Sequence, residues 1–262
     1  MNAPTSLRIA SLVPSLTELV VVLGLHEHLV ARTGFCVHPA EAVKTIPKVG
    51  GTKDVNLAKL RKLAPTHVLV NVDENRLETV QALRAWPAGE RPQIVVTHPL
   101  APDDNLGLID QMVAAFGAVA GVAERAQACR QELAQELAST QPAPHRPQNV
   151  LYLIWREPWM SVARDTYISR MLARVNWHTL PDATGGEHGA ARYPVLQGDE
   201  PWLADVQQVL LSSEPYAFGE QHVGLARALC SQAEVRIVDG ELISWYGPRA
   251  AAGLRYLREL AA

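Results

Sequence analysis

The sequence predicts an α/β fold of two related lobes joined by a long helical spacer. Two observations carry that expectation. Short apolar runs of strand type alternate with helical patterns, as parallel sheets require. The alternation also occurs twice, once on each side of a stretch whose apolar residues recur only at helical spacing.

Residues 9–13 are apolar apart from Ser11 and read as the first strand. Ser15, Leu16, Thr17 and Glu18 follow with capping-box spacing, and Gly24 marks a helix end. The N–H groups at the start of that helix would face a ligand and offer donors to an acceptor atom. Residues 65–75 run as a strand into an acidic loop, a helical pattern continues through Leu83, and residues 94–96 form another strand. The second half opens with a strand over 149–154 and a helical region reaching Val175. A strand over 206–211 then leads into Ser212, Ser213, Glu214, Pro215 and Tyr216. A helical stretch through Cys230 and a strand over 235–238 complete it.

The spacer begins at Asp103 and Asp104, which suit a helix start. Ile109, Met112, Val113 and Phe116 follow at helical spacing, and after Gly121 so do Ala126, Cys129, Leu133 and Leu137. Cys129 is expected in the core on this pattern. Prolines 142 and 144 end the second helix, which would be about 27 Å long at 1.5 Å per residue. The expected division is a first lobe over 1–102, a spacer over 103–141 and a second lobe over 142–262.

Charge excludes several function classes. Twenty-four Lys and Arg balance 27 Asp and Glu, which argues against a nucleic-acid surface. No apolar run reaches the roughly 20 residues that span a bilayer, so membrane insertion is not expected. Three widely spaced cysteines imply no disulfide framework. Residues 1–8 do not resemble a leader. The expectation is therefore a cytoplasmic protein if Met1 is the native start, and a periplasmic one if a signal peptide has been removed.

In open parallel sheets, ligands gather beyond the carboxyl ends of the strands, and clefts between domains are favoured. In the first half that rule selects Ser15, Phe35, Cys36, His38, Glu74, Asn75 and His98. In the second it selects Trp155, Arg156, Trp159, Glu214, Tyr216, Trp245 and Arg249. Five of the six Trp and all six Tyr lie from Tyr152 onward. Indoles on post-strand loops suit a large, flat, partly apolar ligand, and the nearby arginines suit its carboxylate or amide fringe.

Conventional catalytic patterns are missing. Residues 49–53, Val-Gly-Gly-Thr-Lys, hold P-loop ingredients in the wrong order, and no G-x-S-x-G, H-E-x-x-H or C-x-x-C occurs. Of nine histidines only His26 and His28 lie close, on an expected surface turn. Cys36 and His38 sit on a loop expected to face the cleft and are the sharpest candidates for metal or axial ligation. Simple packing of both is the competing reading. No catalytic set, resident metal or cofactor is expected, so the chain reads as a binder.

The run RIASLVPSLTELVVVLGL, then VGGTKDVNLAKLRKLAPTHVLV, then VDGELISWYGPR, resembles the helical-backbone (class III) substrate-binding proteins of ABC importers. The likeness is nearest to their cobalamin-binding branch and covers essentially the whole chain. It implies two Rossmann-like α/β lobes on a rigid backbone helix, with a corrinoid or other metal chelate in a cleft between them. It also implies ligand contacts from Phe35 and Cys36, from the loop 155–159, and from Trp245 and Arg249. A ferric siderophore or haem receptor is the alternative, as is a cytoplasmic corrinoid-handling sensor or enzyme using Cys36, His38, Glu74 or Glu214. An importer permease is the implied partner. Family docking uses an acidic residue on each lobe; here the first position is Ala58, and Asp199 or Glu200 is the candidate for the second.

Overall fold

The computed structural model describes residues 6–143 and 145–262. Residues 1–5 of the stretch read for a leader, and Pro144 at the end of the spacer, lie outside them. The chain divides into two compact units. The first runs through His98 and adds Gly107–Gln131; the second comprises Pro99–Leu106 and Glu132–Ala262.

In the first lobe the order is β1 (Ile9–Ser11), α1 (Pro14–Val22), β2 (Leu29–Arg32), α2 (Ala40–Val43), α3 (Leu57–Lys62), β3 (His67–Asn71), α4 (Leu77–Arg84) and β4 (Gln93–Thr97). The four strands pair in parallel in the order β2-β1-β3-β4. Both faces of the central strands are buried, as a parallel sheet between helices requires. Ala10, Leu12, Ala31, Val68 and Val70 pack with Leu60, Leu83 and Trp86 on one face. Ile9 and Leu69 are fully buried as well.

Helix α1 corrects the expected capping box. Pro14 takes the first helical position, where its missing N–H costs nothing. The helix therefore starts two residues earlier than a cap at Ser15 would set, and Ser15 lies inside its first turn with no cap to make. Ser15 Oγ is buried without a hydrogen-bond partner among the described residues. The expected end holds. Gly24 adopts φ +77°, its N–H donates to Val21 O, and Leu25 N–H donates to Val20 O. That is a Schellman closure.

Helices α5 (Asp104–Phe116) and α6 (Val122–Ser139) follow, each divided between the two units. Cys129 on α6 is only half-buried, against the expectation of a core position. No helix among the described residues is long and apolar enough to cross a membrane.

The second lobe repeats the first. It contains β5 (Gln148–Leu153), α7 (Tyr167–Ala173), β6 (Trp177–Thr179), β7 (Gln208–Ser212), α8 (Val223–Leu229), β8 (Glu234–Val238), α9 (Gly240–Ser244) and α10 (Ala250–Leu260). Its strands are parallel in the order β6-β5-β7-β8, the same arrangement displaced along the chain. Glu136 of α6 is buried and takes Arg255 Nη1 at 2.8 Å and Arg258 Nη1 at 3.0 Å from α10. Gly253 lets α10 lie against α9: a Cβ there would stand 2.0 Å from Leu242 O.

Strands β2 and β6 were not anticipated. Edge strand β2 ends in a buried arginine, Arg32, and β6 has three residues, so neither presents an apolar run long enough to read.

Candidate functional site

In a sheet of order 2-1-3-4 the chain leaves β1 toward one edge and β3 toward the other. The loops after those two strands diverge and leave a crevice at the carboxyl edge, where ligands of α/β folds bind. The equivalent loops in the second lobe follow β5 and β7. The two lobes treat this crevice differently.

In the first lobe the crevice is laced shut. Asn75 Nδ2 donates to Leu12 O at 3.2 Å and to Thr52 O at 3.0 Å, while its Oδ1 accepts from Asn71 N. Asn75, expected as a ligand contact, is buried with its polar atoms used inside the lobe. Glu74 beside it is half-buried. His98 Nε2 stands 3.4 Å from Asp73 Oδ2, without hydrogen-bond alignment, and Lys53 Nζ donates to Asp73 O at 2.6 Å.

Cys36 is corrected most sharply. The loop after β2 turns back on itself, so the thiol points inward with no exposed surface. Its Sγ lies 3.1 Å from Thr33 Oγ1, and burial raises the thiol above its ordinary pKa. The Arg32 guanidinium fixes the turn by donating to Val43 O at 2.9 Å, Thr33 O at 3.2 Å and Cys36 O at 2.9 Å. Cys36 is thus a packed residue with no exposed surface, as the competing reading of the sequence had it. The same turn pushes the neighbouring Phe35 outward, 63% exposed. Its ring rests on Gly51, where a Cβ would come within 3.3 Å of Phe35 Cε2. Gly51, in the Val-Gly-Gly-Thr-Lys run, is therefore what lets the ring lie close. His38 on this loop is half-buried. Val37, Val72 and Leu77 extend the exposed apolar surface of this lobe.

In the second lobe the two crevice loops meet through aromatic rings. After β5, Ile154 N–H donates to Met160 O and Met160 N–H to Trp155 O, which holds residues 155–160 as a tight turn. Trp155 is 41% exposed and meets Tyr216 edge to face at 5.5 Å. Tyr216 in turn packs on Phe218 at 4.6 Å and on His222 at 5.4 Å. Gly219 N–H donates to His222 Nδ1 at 3.0 Å, so the ring proton sits on Nε2 and points to Tyr216 Oη at 3.2 Å. The Tyr216 hydroxyl accepts from His222 and keeps its own hydrogen for another partner. Phe218 and His222 were missed in the sequence because only their packing under Tyr216 gives them a role.

The other two expected indoles are not open platforms. Trp159 stacks on Phe218 at 6.0 Å with an 11° tilt, and Arg156 Cζ covers it at 5.9 Å. Trp245 is 8% exposed. Arg249 Cζ lies 4.4 Å over its ring, and its Nε1 donates to Glu214 Oε1 at 2.6 Å. Both arginines carry a carboxylate: Arg156 pairs with Glu157 Oε1 at 3.1 Å and Arg249 with Glu241.

Glu214 is the most constrained polar group in this lobe. Ser244 Oγ and Trp245 Nε1 both donate to its Oε1, each at 2.6 Å. Burial pushes its carboxyl above the ordinary carboxylate range, against those two hydrogen bonds. Among the described residues, no group of three or more His, Cys, Asp or Glu side chains is arranged to hold a metal ion.

The comparisons agree with this architecture. Structures of similar fold include the periplasmic vitamin B12 binding protein BtuF of Vibrio cholerae, at 19% identity, TM-score 0.77 and 96% coverage of both chains. The periplasmic haem binding protein HutB of Vibrio cholerae is 21% identical, with TM-score 0.77 and coverage of 98% of this chain and 99% of that one. The apo haem-binding protein RhuT from Roseiflexus sp. RS-1 is 20% identical, with TM-score 0.74 and coverage of 98% and 100%. A search of curated proteins gave no match. The periplasmic binding protein profile matches residues 9–209, most of the chain. With two parallel sheets of one repeated strand order, the chain belongs to the periplasmic binding protein family.

Proposed function

We propose that this chain is a non-enzymatic binding protein for a large, flat metal chelate, with a corrinoid favoured over haem or a ferric siderophore, and that it hands its ligand to an ABC importer. The observation that carries the reading is the rim of the second lobe. Trp155 offers an indole face braced from behind by Tyr216, and the arginines beside the aromatics are already neutralised by Glu157 and Glu241. A flat apolar ring fits that face. A haem or an anionic ferric chelate brings carboxylates or other negative groups that want cations of their own. A corrin ring carries uncharged primary amides instead, which suit a rim of compensated charge. The fold likeness to a B12 binder and to haem binders is consistent with this class of ligand. The reading as an enzyme through Cys36 loses its nucleophile, because that thiol has no access to a substrate.

Calorimetry with cobalamin, cobinamide, haem and a panel of ferric siderophores tests the proposal, with tryptophan fluorescence as a second signal. Tight binding is expected for the two corrinoids. Absence of binding by every ligand at tens of micromolar defeats it.

A further inference from the structure

We propose that Glu214 sets ligand selectivity: its outer carboxylate oxygen accepts N–H groups from the edge of the ligand and turns away ligands whose edge carries carboxylates. The inference rests on the corrinoid reading above and names the group that enforces it.

Four observations support it. First, Glu214 stands on the loop after β7, at the crevice where this sheet divides, two residues before Tyr216. Second, its two hydrogen bonds, from Ser244 and Trp245, both fall on Oε1, and Oε2 takes none from the described residues. Glu214 itself is half-buried rather than enclosed. Third, the position is built for a carboxylate held close. Gly240 lies against it, and a Cβ there would meet Glu214 Cγ and Glu214 N at 2.9 Å. Fourth, the surrounding charge is not positive. Arg249 favours the charged form of Glu214, but Glu241, which binds that arginine, opposes it.

A half-buried carboxylate gains most from N–H donors, which stabilise its charge without adding one. A second carboxylate brought beside it raises the cost further. Tyr216 complements the pattern, because its hydrogen is free to donate while His222 supplies its acceptor needs. The loop thus presents one acceptor and one donor, the pair that a primary amide edge matches and a carboxylate edge does not.

Glu214→Gln tests this with little disturbance. The amide oxygen keeps the bonds from Ser244 and Trp245, while the outer atom changes from acceptor to donor. Two probes share one ring: dicyanocobinamide, fringed with amides, and dicyanocobyrinic acid, fringed with carboxylates. The wild type is expected to prefer the amide form by about a hundredfold, as like-charge contact at an interface dictates. In the variant that preference should fall at least about tenfold, the order of one charge-assisted hydrogen bond. An unchanged ratio overturns the inference while leaving the corrinoid reading intact. If the wild type binds neither corrinoid but does bind haem, the corrinoid reading fails, and the selectivity role is then judged with haem and its dimethyl ester. The ester must be the preferred partner and lose that preference in Glu214→Gln; otherwise the role fails too. Binding of no chelate at all overturns both. Unfolding of the variant is monitored by its melting temperature, and Glu214→Asp, which keeps the charge, should retain the wild-type preference.

Discussion

Replacing Trp155 with alanine isolates the surface on which the functional reading depends. A fully covered tryptophan hides up to ~250 Å². With 41% of it exposed, about 100 Å² is available for a ligand to cover. At ~25 cal/mol per Å² that area is worth ~2.5 kcal/mol, or roughly a 70-fold loss of affinity. The edge contact with Tyr216 at 5.5 Å adds a smaller loss, because Tyr216 is then less firmly placed. The fold should tolerate the change, since residues 155–160 are held by backbone bonds between Ile154, Trp155 and Met160. The assay is calorimetric titration with cobalamin, with a melting curve alongside to show that stability is kept. Affinity within twofold of wild type, in a folded variant, refutes the assignment of Trp155 as the platform.

Further outcomes are expected elsewhere. Glu136→Gln should cost about 2 kcal/mol, less than the 3–5 typical of a broken buried ion pair because both arginines are partly solvated. Burial alone would raise the Glu136 carboxyl, but the bonds from Arg255 and Arg258 hold it below its usual range. Its contribution is therefore present above the unfolded value of ~4.3 and lost as pH falls through the folded value. Melting curves of wild type and variant should draw together as the pH is taken below the unfolded value of ~4.3, and a constant gap would show that charge is not the cause. Gly253→Ala places a methyl 2.0 Å from Leu242 O; about 3 kcal/mol of stability should go, read by urea denaturation. Thiol labelling of the native protein should modify Cys129 first. Cys36 and Cys230 should react only on unfolding, since both are buried and burial pushes the Cys230 thiol up to about 11. Labelling of all three at one rate would contradict the packing described.

The strands with both faces buried were legible because burial on both sides writes a continuous apolar run, as in Val68, Leu69 and Val70 or Val209, Leu210 and Leu211. Edge strand β2 was not, because Arg32 satisfies its charge on carbonyls that only the folded loop brings together. Positions of loops relative to strands were readable from the topology rule, which is why Trp155, Glu214 and Tyr216 were anticipated at the crevice. Side-chain direction was not. Cys36 and Phe35 are adjacent, yet one is enclosed and the other projects, and that choice is made by a turn closed through Thr33 and Arg32. Trp245 likewise has the composition of a platform, but Arg249 lies across it.

The repeated topology bears on how the chain is made. Contacts that flank the central strand pair join residues 58 apart in the first lobe, Arg8 with Thr66, and 58 apart in the second, Asn149 with Gln207. Each lobe must therefore close a loop of the same length before its sheet can grow, at an entropic cost of about 4 kcal/mol apiece. Equal costs and equal strand order mean that mismatched halves of the chain compete with the correct ones on nearly level terms. Synthesis from the N-terminus breaks the tie. All four strands of the first lobe emerge from the ribosome before β5 does, and at 5–20 residues per second the first lobe has seconds to close alone. Refolding from denaturant gives no such head start, so this chain should refold with lower yield than it folds during translation.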